Sequence, residues 1–277
     1  MTGFAGITDR DHAAFWEDGY VFKRSYLSSE EVALAAATIH SDPSIRANAL
    51  AIDDSAGGST ELALWNHPSD DVFGAIARSE RIAGGAERLL GGEVYHYHSK
   101  LTMKRPGGGG RWEWHQDYGY WYQNGCLFPD LLSVAVAIDR ATRENGCMQV
   151  LRGSHRMGRI EHGRVAGQTG ADVERVEHAM TIMDVVYCEM APGDALFFHS
   201  NTLHCSAANT SPHSRNLLIC CYNKATNNPY KKHHHPFYTP LEKLPDAAVL
   251  ATGLKVPTSR AYMGEDEDRT TETRRAG

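Results

Sequence analysis

The chain has 277 residues, of which 42% are hydrophobic and 22% charged, and a formal net charge of −6 at pH 7. This length and composition suit one elaborated globular domain, and the acidic balance argues against a nucleic-acid partner, because nucleic-acid-binding domains are usually basic. The sequence contains neither an apolar run long enough for a membrane span nor a secretory signal. Its six cysteines include no C-x-x-C pair and indicate buried thiols. We therefore expect a cytoplasmic protein whose partner is a small molecule.

Residues 1–93 are predicted to form a mostly helical flank. The segments that begin at Thr8 and Ser28 resemble capping boxes, in which a hydroxyl residue and an acidic residue three positions later open a helix. The alanine-rich run 32–39 favours a helix, and the helical pattern of 76–90 ends at two glycines, as helices commonly do. Two interruptions are predicted, a short strand at 19–22 and a loop at 52–60.

From residue 94 onward the chain changes to short runs of β-branched and aromatic residues separated by turn signals. The predicted strands are 94–104, 112–122, 131–138, 148–151, 185–190, 195–198, 203–207 and 217–222. About eight short strands with this spacing predict a mainly β protein with a jelly-roll or barrel core.

The rest of the single predicted domain, 1–263, surrounds that core. The core itself spans 94–223, and residues 224–263 form a C-terminal extension. The polar stretch 153–181 is interpreted as an insertion over one end of the barrel. The charged, apolar-poor tail 264–277 is expected to be disordered.

A His-x-Asp triplet, His115-Gln116-Asp117, lies in an aromatic segment of one predicted strand. Residues i and i+2 of a strand point to the same face. His115 and Asp117 would then supply two thirds of a 2-His-1-carboxylate triad, the set that holds non-heme Fe(II). Roughly one such triplet is expected by chance in so His-rich a chain, so its context must carry the interpretation.

A second imidazole is available downstream. His204 begins a predicted strand and is preferred over His199, which ends the preceding one. The triple His233-His234-His235 follows two lysines and is interpreted as a solvated loop. Arg215 precedes an apolar run, and a buried guanidinium needs an anionic partner, for which a dicarboxylic co-substrate is well suited. A surface or structural ion pair is the alternative for Arg215.

Four motifs together resemble the phytanoyl-CoA dioxygenase family, in particular its ectoine hydroxylases: Trp114-His115-Gln116-Asp117, Gly153-Ser154-His155-Arg156, Pro192-Gly193-Asp194 and Asn201-Thr202-Leu203-His204. The resemblance implies a double-stranded β-helix, a cupin-like jelly roll, with a helical flank. It also implies a non-heme iron dioxygenase that uses Fe(II), 2-oxoglutarate and O₂. The implied iron ligands are His115, Asp117 and His204, with Arg215 and Ser206 on the co-substrate.

The strand before the iron motif departs from the ectoine hydroxylases, because His98 stands where they have a glutamine. Its even positions, among them His98, Lys100 and Thr102, form an entirely polar face. That face either lines the cavity and contacts co-substrate or substrate, or is a solvated edge.

The substrate is the least determined part of the prediction. Trp112, Tyr118 and Trp121 are candidate substrate contacts, although a bulge at Gly119 would turn Trp121 away from the metal face. We expect hydroxylation or oxidative cyclisation of a small or mid-sized natural-product intermediate, with or without a sugar, as in antibiotic biosynthesis. The alternatives are a free amino acid or ectoine-like substrate and, in another class, a non-catalytic jelly-roll binding protein. The resemblance also implies that an iron halogenase of related fold would have a small residue in place of this carboxylate. The presence of Asp117 therefore argues against a halogenase.

Overall fold

The computed structural model describes residues 6–257 and 260–263. Its α-helices are α1 (Asp9–Asp18), α2 (Ser29–Ser41), α3 (Pro43–Ala47), α4 (Val72–Arg78), α5 (Gly85–Leu90), α6 (Asp117–Trp121), α7 (Val173–Met180) and α8 (Ala248–Ala251). Its strands are β1 (Tyr20–Lys23), β2 (Leu50–Asp53), β3 (Ser59–Trp65), β4 (Val94–Lys104), β5 (Trp112–His115), β6 (Leu131–Ala137), β7 (Met148–Leu151), β8 (His162–Val165), β9 (Gln168–Ala171), β10 (Val185–Cys188), β11 (Ala195–His199), β12 (His204–Ser206) and β13 (Arg215–Lys224). A π-helical turn, Glu80–Gly84, joins α4 to α5.

Two antiparallel sheets form the core. The larger has seven strands in the order β1-β11-β6-β13-β4-β3-β2, and the smaller has four in the order β10-β7-β12-β5. Side chains from both sheets, such as Ala135, Leu196 and Ile219 of the larger and Val150 and Cys188 of the smaller, form one buried cluster. This sandwich confirms the predicted jelly roll.

The helical flank covers the outer face of the larger sheet. Alternate residues of β6 show the two-sided packing, since Val134 and Val136 contact the helix side whereas Ala135 lies in the inner cluster. Phe15 of α1 and Ile76 of α4 belong to the same outer cluster. Both predicted capping boxes, at Thr8 and at Ser28, are confirmed, as is the helix over 32–39.

Strands β2 and β3 were missed, because the region around them was predicted as loop and helix. The Gly/Ser-rich segment between them is the turn of a hairpin, in which Asp54 accepts hydrogen bonds from the backbone amides of Ala56 and Gly58. Pairing with β4 extends this hairpin into the larger sheet. The strands therefore depend on a tertiary contact that local propensity does not encode.

The strand predicted over 112–122 is wrong beyond His115, where the chain turns into helix α6. Gln116 makes the turn, because its side chain leaves the sheet to bond backbone groups of other segments. Its amide nitrogen donates to the carbonyls of Gly158 and Asn201, and its oxygen accepts from the amide of Ile160. The alternative of a bulge at Gly119 is also wrong, since Gly119 lies within α6.

The stretch 153–181 contains a 3₁₀ turn, the β8–β9 hairpin and helix α7. The hairpin lies against β5, with Gln168 bonded to the backbone on both sides of Trp112. All six cysteines are free and buried. Within the described residues, no helix has the length and apolarity to cross a membrane. The tail 264–277 lies outside the described residues.

Candidate active site

His115 and His204 face each other across the pairing of β5 with β12. Both side chains are buried, and their ring centroids are 4.1 Å apart. The Nδ1 atom of His115 lies 2.7 Å from the carbonyl oxygen of Glu113, and that of His204 lies 2.9 Å from that of Thr202. A carbonyl only accepts, so each Nδ1 carries the proton and each Nε2 keeps its lone pair for a metal ion.

Asp117 joins His115 and His204 in a cluster of three potential metal ligands, and it does so from the first turn of α6 rather than from a strand. Its Oδ2 accepts a hydrogen bond of 2.7 Å from the hydroxyl of Ser133, and its Oδ1 lies 3.8 Å from Nε2 of His204. Potential ligand atoms of Asp117, His115 and His204 all lie within 4.8 Å of one another. The three side chains therefore converge as expected. His115 and Asp117 do not share one face of a strand, however, because Asp117 lies in α6.

The electrostatics of the cluster suit a cation. Burial lowers the pKa of His115 well below its usual value, and it also lowers the pKa of His204. Both imidazoles are thus neutral and able to coordinate. Two neutral imidazoles and one carboxylate form the donor set that suits Fe(II), and the residues present fit this metal.

A first cavity, of about 460 Å³ including space open to solvent, extends from the cluster to Arg215. Arg215 is 2% exposed, and its Nη1 donates to the hydroxyl of Thr102 at 3.2 Å. Its Nε has no hydrogen-bond partner in the part of the chain that the structure describes. Among the described residues, no carboxylate lies within ion-pair distance of Arg215, so the alternative of a surface or structural ion pair is wrong. Burial lowers its pKa to about 10. A buried cation with no ion-pair partner among the described residues fits the carboxylate of 2-oxoglutarate.

Ser206, Thr102 and Lys100 also line this first cavity. Lys104, which the sequence analysis did not single out, lies behind Ser206. It is 1% exposed, and its Nζ donates to the Ser206 hydroxyl at 2.8 Å and to the carbonyl of Ala207. Burial lowers its pKa to about 6, with a further contribution from Arg215. The sequence contains a signal for Lys104, because this residue ends the polar face of β4 that includes Thr102.

A second cavity, of about 570 Å³ including space open to solvent, also borders the metal-site residues, through His115 and Asp117. Trp112 and Trp121 line it, as do His98 and Lys100. Lys100, Trp112 and His115 line both cavities. The alternative of a solvated edge for the polar face of β4 is wrong, because β4 is an interior strand of the larger sheet, between β13 and β3.

Several predicted residues lie elsewhere. Tyr118 lines neither cavity, and its hydroxyl donates to the carbonyl of Cys126 in the core. His98 lines the second cavity and not the one that ends at Arg215. His199 lies outside the cluster, packed against Trp16. The prediction of a solvated loop is wrong for His235, which is 7% exposed and lines the second cavity.

Comparisons with known proteins identify the family of this chain. The family model described as phytanoyl-CoA dioxygenase matches residues 15–217. The L-proline trans-4-hydroxylase of Streptomyces griseoviridis is 33% identical over 215 residues, which cover 72% of this chain and 80% of that protein. The ectoine dioxygenase of Streptomyces anulatus is 25% identical, over 86% of this chain and 84% of that protein.

Solved structures give the same result. The crystal structure of EctD from S. alaskensis with bound Fe superposes with a TM-score of 0.72 and 26% identity, over 89% of this chain and 91% of that one. The epimerase SnoN from nogalamycin biosynthesis, at 22% identity and a TM-score of 0.61 over 78% of this chain and 82% of that one, shares the fold. The chain belongs to the phytanoyl-CoA dioxygenase family and is a non-heme iron, 2-oxoglutarate-dependent dioxygenase.

Proposed function

We propose that this protein hydroxylates a C–H bond of a small metabolite, with iron held by His115, Asp117 and His204. The observation that carries the proposal is that this buried donor set borders two cavities, one of which ends at Arg215, whose guanidinium has no ion-pair partner among the described residues. When bound, iron and 2-oxoglutarate supply the chemistry that activates O₂ for attack on a C–H bond.

Arg215 binds the distal carboxylate of 2-oxoglutarate, and Ser206 and Thr102 complete its site. The Ser206 hydroxyl accepts a hydrogen bond from Lys104 and keeps its own proton to donate to the carboxylate. Thr102 accepts from Nη1 of Arg215 and so fixes the guanidinium plane. Lys100, which lines both cavities, contributes positive charge on the metal side, 3.8 Å from Oδ1 of Asp117.

The second cavity receives the substrate, for which we favour a small amino acid or a related cyclic compound. The relatives named L-proline trans-4-hydroxylase and ectoine dioxygenase support this class. Of the described residues that line the cavity, only Lys100 and the metal-site Asp117 have charged side chains. A small substrate with its own carboxylate matches that single cation.

A natural-product intermediate is the second candidate. Three aromatic side chains, Trp112, Tyr120 and Trp121, line the second cavity and would suit the flat face of a larger ring. The product distinguishes the reactions, because hydroxylation adds one oxygen atom whereas oxidative cyclisation removes two hydrogen atoms.

The test is a substrate panel of amino acids, ectoine and ring-containing secondary metabolites, incubated with Fe(II), 2-oxoglutarate and O₂. We expect one compound to accelerate succinate formation and to gain one oxygen atom by mass spectrometry. Asp117→Ala should abolish both signals, whereas the control Asp184→Ala, an exposed carboxylate outside both cavities, should retain them. A protein that binds a compound from the panel but never forms succinate would instead be the non-catalytic binding protein.

A further inference from the structure

Two stacked imidazoles form a polar corner in the wall of the second cavity. The rings of His98 and His235 are 4.5 Å apart with an interplanar angle of 17°, and both residues line the cavity. Tyr97 lies 4.6 Å from the His235 ring, and Trp121 lies 5.7 Å from the His98 ring. Nδ1 of His98 is buried and has no hydrogen-bond partner within residues 6–257 and 260–263.

The hydrogen bonds of Asn66 fix the protonation of His235. Nδ2 of Asn66 lies 2.5 Å from the carbonyl oxygen of His234, which only accepts, so this atom is the amide nitrogen. The Asn66 oxygen therefore faces Nδ1 of His235, at 2.9 Å, and this Nδ1 must donate.

His235 is neutral, because burial and the neighbouring His98 hold its pKa well below the usual value. A neutral imidazole has one N–H, and here that N–H is on Nδ1. Nε2 of His235 consequently has a lone pair and acts as a hydrogen-bond acceptor in a cavity whose cation, Lys100, lies on the same face of β4 as His98.

The cavity contains a hydrogen-bond acceptor, Nε2 of His235, and a cation, Lys100. These two groups match a substrate that carries a protonated nitrogen and a carboxylate. We propose that His235 recognises the nitrogen of a zwitterionic amino or imino acid, with Nε2 accepting its N–H while Lys100 attracts its carboxylate. Asn66 is the positioning residue that keeps Nε2 free of a proton. The inference rests on the proposed function and names the substrate class of that same site.

The test compares each active compound with an analogue that keeps the carboxylate and the carbon skeleton but lacks the nitrogen. L-Proline and cyclopentanecarboxylic acid form one such pair within a panel of amino and imino acids. A hydrogen bond to a charged group is worth roughly a 10- to 100-fold change in affinity, so removal of the nitrogen should lower kcat/KM about that much. The inference is overturned if no zwitterion stimulates 2-oxoglutarate consumption, or if the analogue without nitrogen performs equally well.

Substitutions at His235 test whether this residue causes the preference for the zwitterion over the analogue without nitrogen. His235→Phe retains an aromatic ring for stacking but no acceptor, and it should remove the discrimination between the paired compounds. His235→Gln restores an acceptor and should recover part of it. The exposed neighbour His67→Phe serves as the control and should discriminate as the wild type does. Discrimination that persists in His235→Phe would also overturn the inference.

Asn66→Leu tests the positioning role. It should raise KM for the zwitterion, and its effect should be non-additive with that of His235→Phe, because both remove the same oriented acceptor. Additive effects would overturn the role of Asn66. Succinate formation by the wild type with Fe(II), without stimulation by any zwitterion, would overturn this inference alone. The absence of both 2-oxoglutarate binding and succinate formation would overturn the proposed function.

Discussion

At the scale of single residues, the site depends on side chains whose polar atoms are fixed by neighbours. Each metal-site imidazole directs its Nδ1–H to a backbone carbonyl two residues earlier, which leaves Nε2 for the ion. Ser133 in the same way fixes one oxygen of Asp117. All of these partners belong to the chain itself, so the fold holds the donor set in place before any ligand binds.

Ser133→Ala should weaken iron binding without removing a ligand. Loss of the hydrogen bond to Oδ2 lets the Asp117 carboxylate rotate, and loss of such an outer contact typically costs about 10- to 100-fold in metal affinity. The Fe(II) concentration that gives half-maximal succinate formation measures the effect. An unchanged Fe(II) dependence would show that Ser133 does not orient Asp117.

Lys104→Met should raise KM for 2-oxoglutarate by roughly tenfold or more, because a charge-assisted bond behind Ser206 is lost. The wild type should also bind 2-oxoglutarate more weakly as pH rises. The pKa of Lys104 is about 6 in the absence of ligand, and a bound carboxylate raises it. Binding therefore takes up a proton, and affinity falls from about pH 6 until the higher pKa of the complex is passed.

Anaerobic calorimetric titration of 2-oxoglutarate at saturating Fe(II), repeated across pH, measures both effects. Lys104→Met should lose the component of the pH dependence that arises from Lys104. An equally steep dependence in the variant would contradict the assignment.

At the scale of elements, the junction between β5 and α6 places Asp117 beside the two imidazoles. Gln116 anchors the turn, and Gly119 lets α6 approach the insertion, where a Cβ atom would lie 2.2 Å from the His162 ring. His162 in turn accepts the backbone N–H of Gln116 through Nε2, at 2.9 Å. The insertion thus supports the metal site.

Gly119→Ala should destabilise the protein by about 1–3 kcal/mol, because the added methyl group overpacks this contact. It should also lower activity, since movement of His162 disturbs Gln116 and the turn before Asp117. Urea unfolding and succinate formation measure the two effects. Gly108→Ala, whose Cβ would meet no atom closer than 3.9 Å, is the control. Equal stability of both variants would contradict the close approach.

The elements that the sequence predicted are those with local signals, such as the two capping boxes and the strands of the core. The elements that it missed depend on distant partners: β2 and β3 require β4, and α6 requires the bonds of Gln116 to other segments. At the site, the motif residues could be found from the sequence. Lys104 could be placed on the polar face of β4 from the sequence, but its role and that of His235 could not be assigned, because they depend on Ser206 and Asn66, which are far away in the chain.

At the scale of the whole molecule, the described part of the C-terminal extension is tied to the helical flank. The side chain of Arg260 is buried, pairs with Asp42 at 2.7 Å and with Asp71, and has its Cζ 5.1 Å from the centre of the Trp65 ring. Asp42 and Asp71 cap α3 and α4, respectively. The helical flank and the C-terminal extension therefore share one buried ion-pair network on the outer side of the jelly roll.

Arg260→Met should destabilise the fold by about 3–5 kcal/mol, because it leaves two buried carboxylates without their cation. The exposed pair of Lys255 with Asp70 offers a matched control, and Lys255→Met should cost less than about 1 kcal/mol. Urea unfolding monitored by circular dichroism measures both. Similar losses in the two variants would contradict a network that is important for the whole fold.

The central claim is that one buried His115–Asp117–His204 set holds the iron that couples 2-oxoglutarate to O₂. The most direct measurement is the isotopic composition of succinate formed under ¹⁸O₂ by the wild type and by Asp117→Ala. We predict that the wild type forms succinate in an Fe(II)-dependent reaction and that this succinate carries one ¹⁸O atom. The variant should form no such succinate. Succinate formation that is unaffected by Asp117→Ala, or its absence from the wild type across the whole substrate panel, would contradict the account.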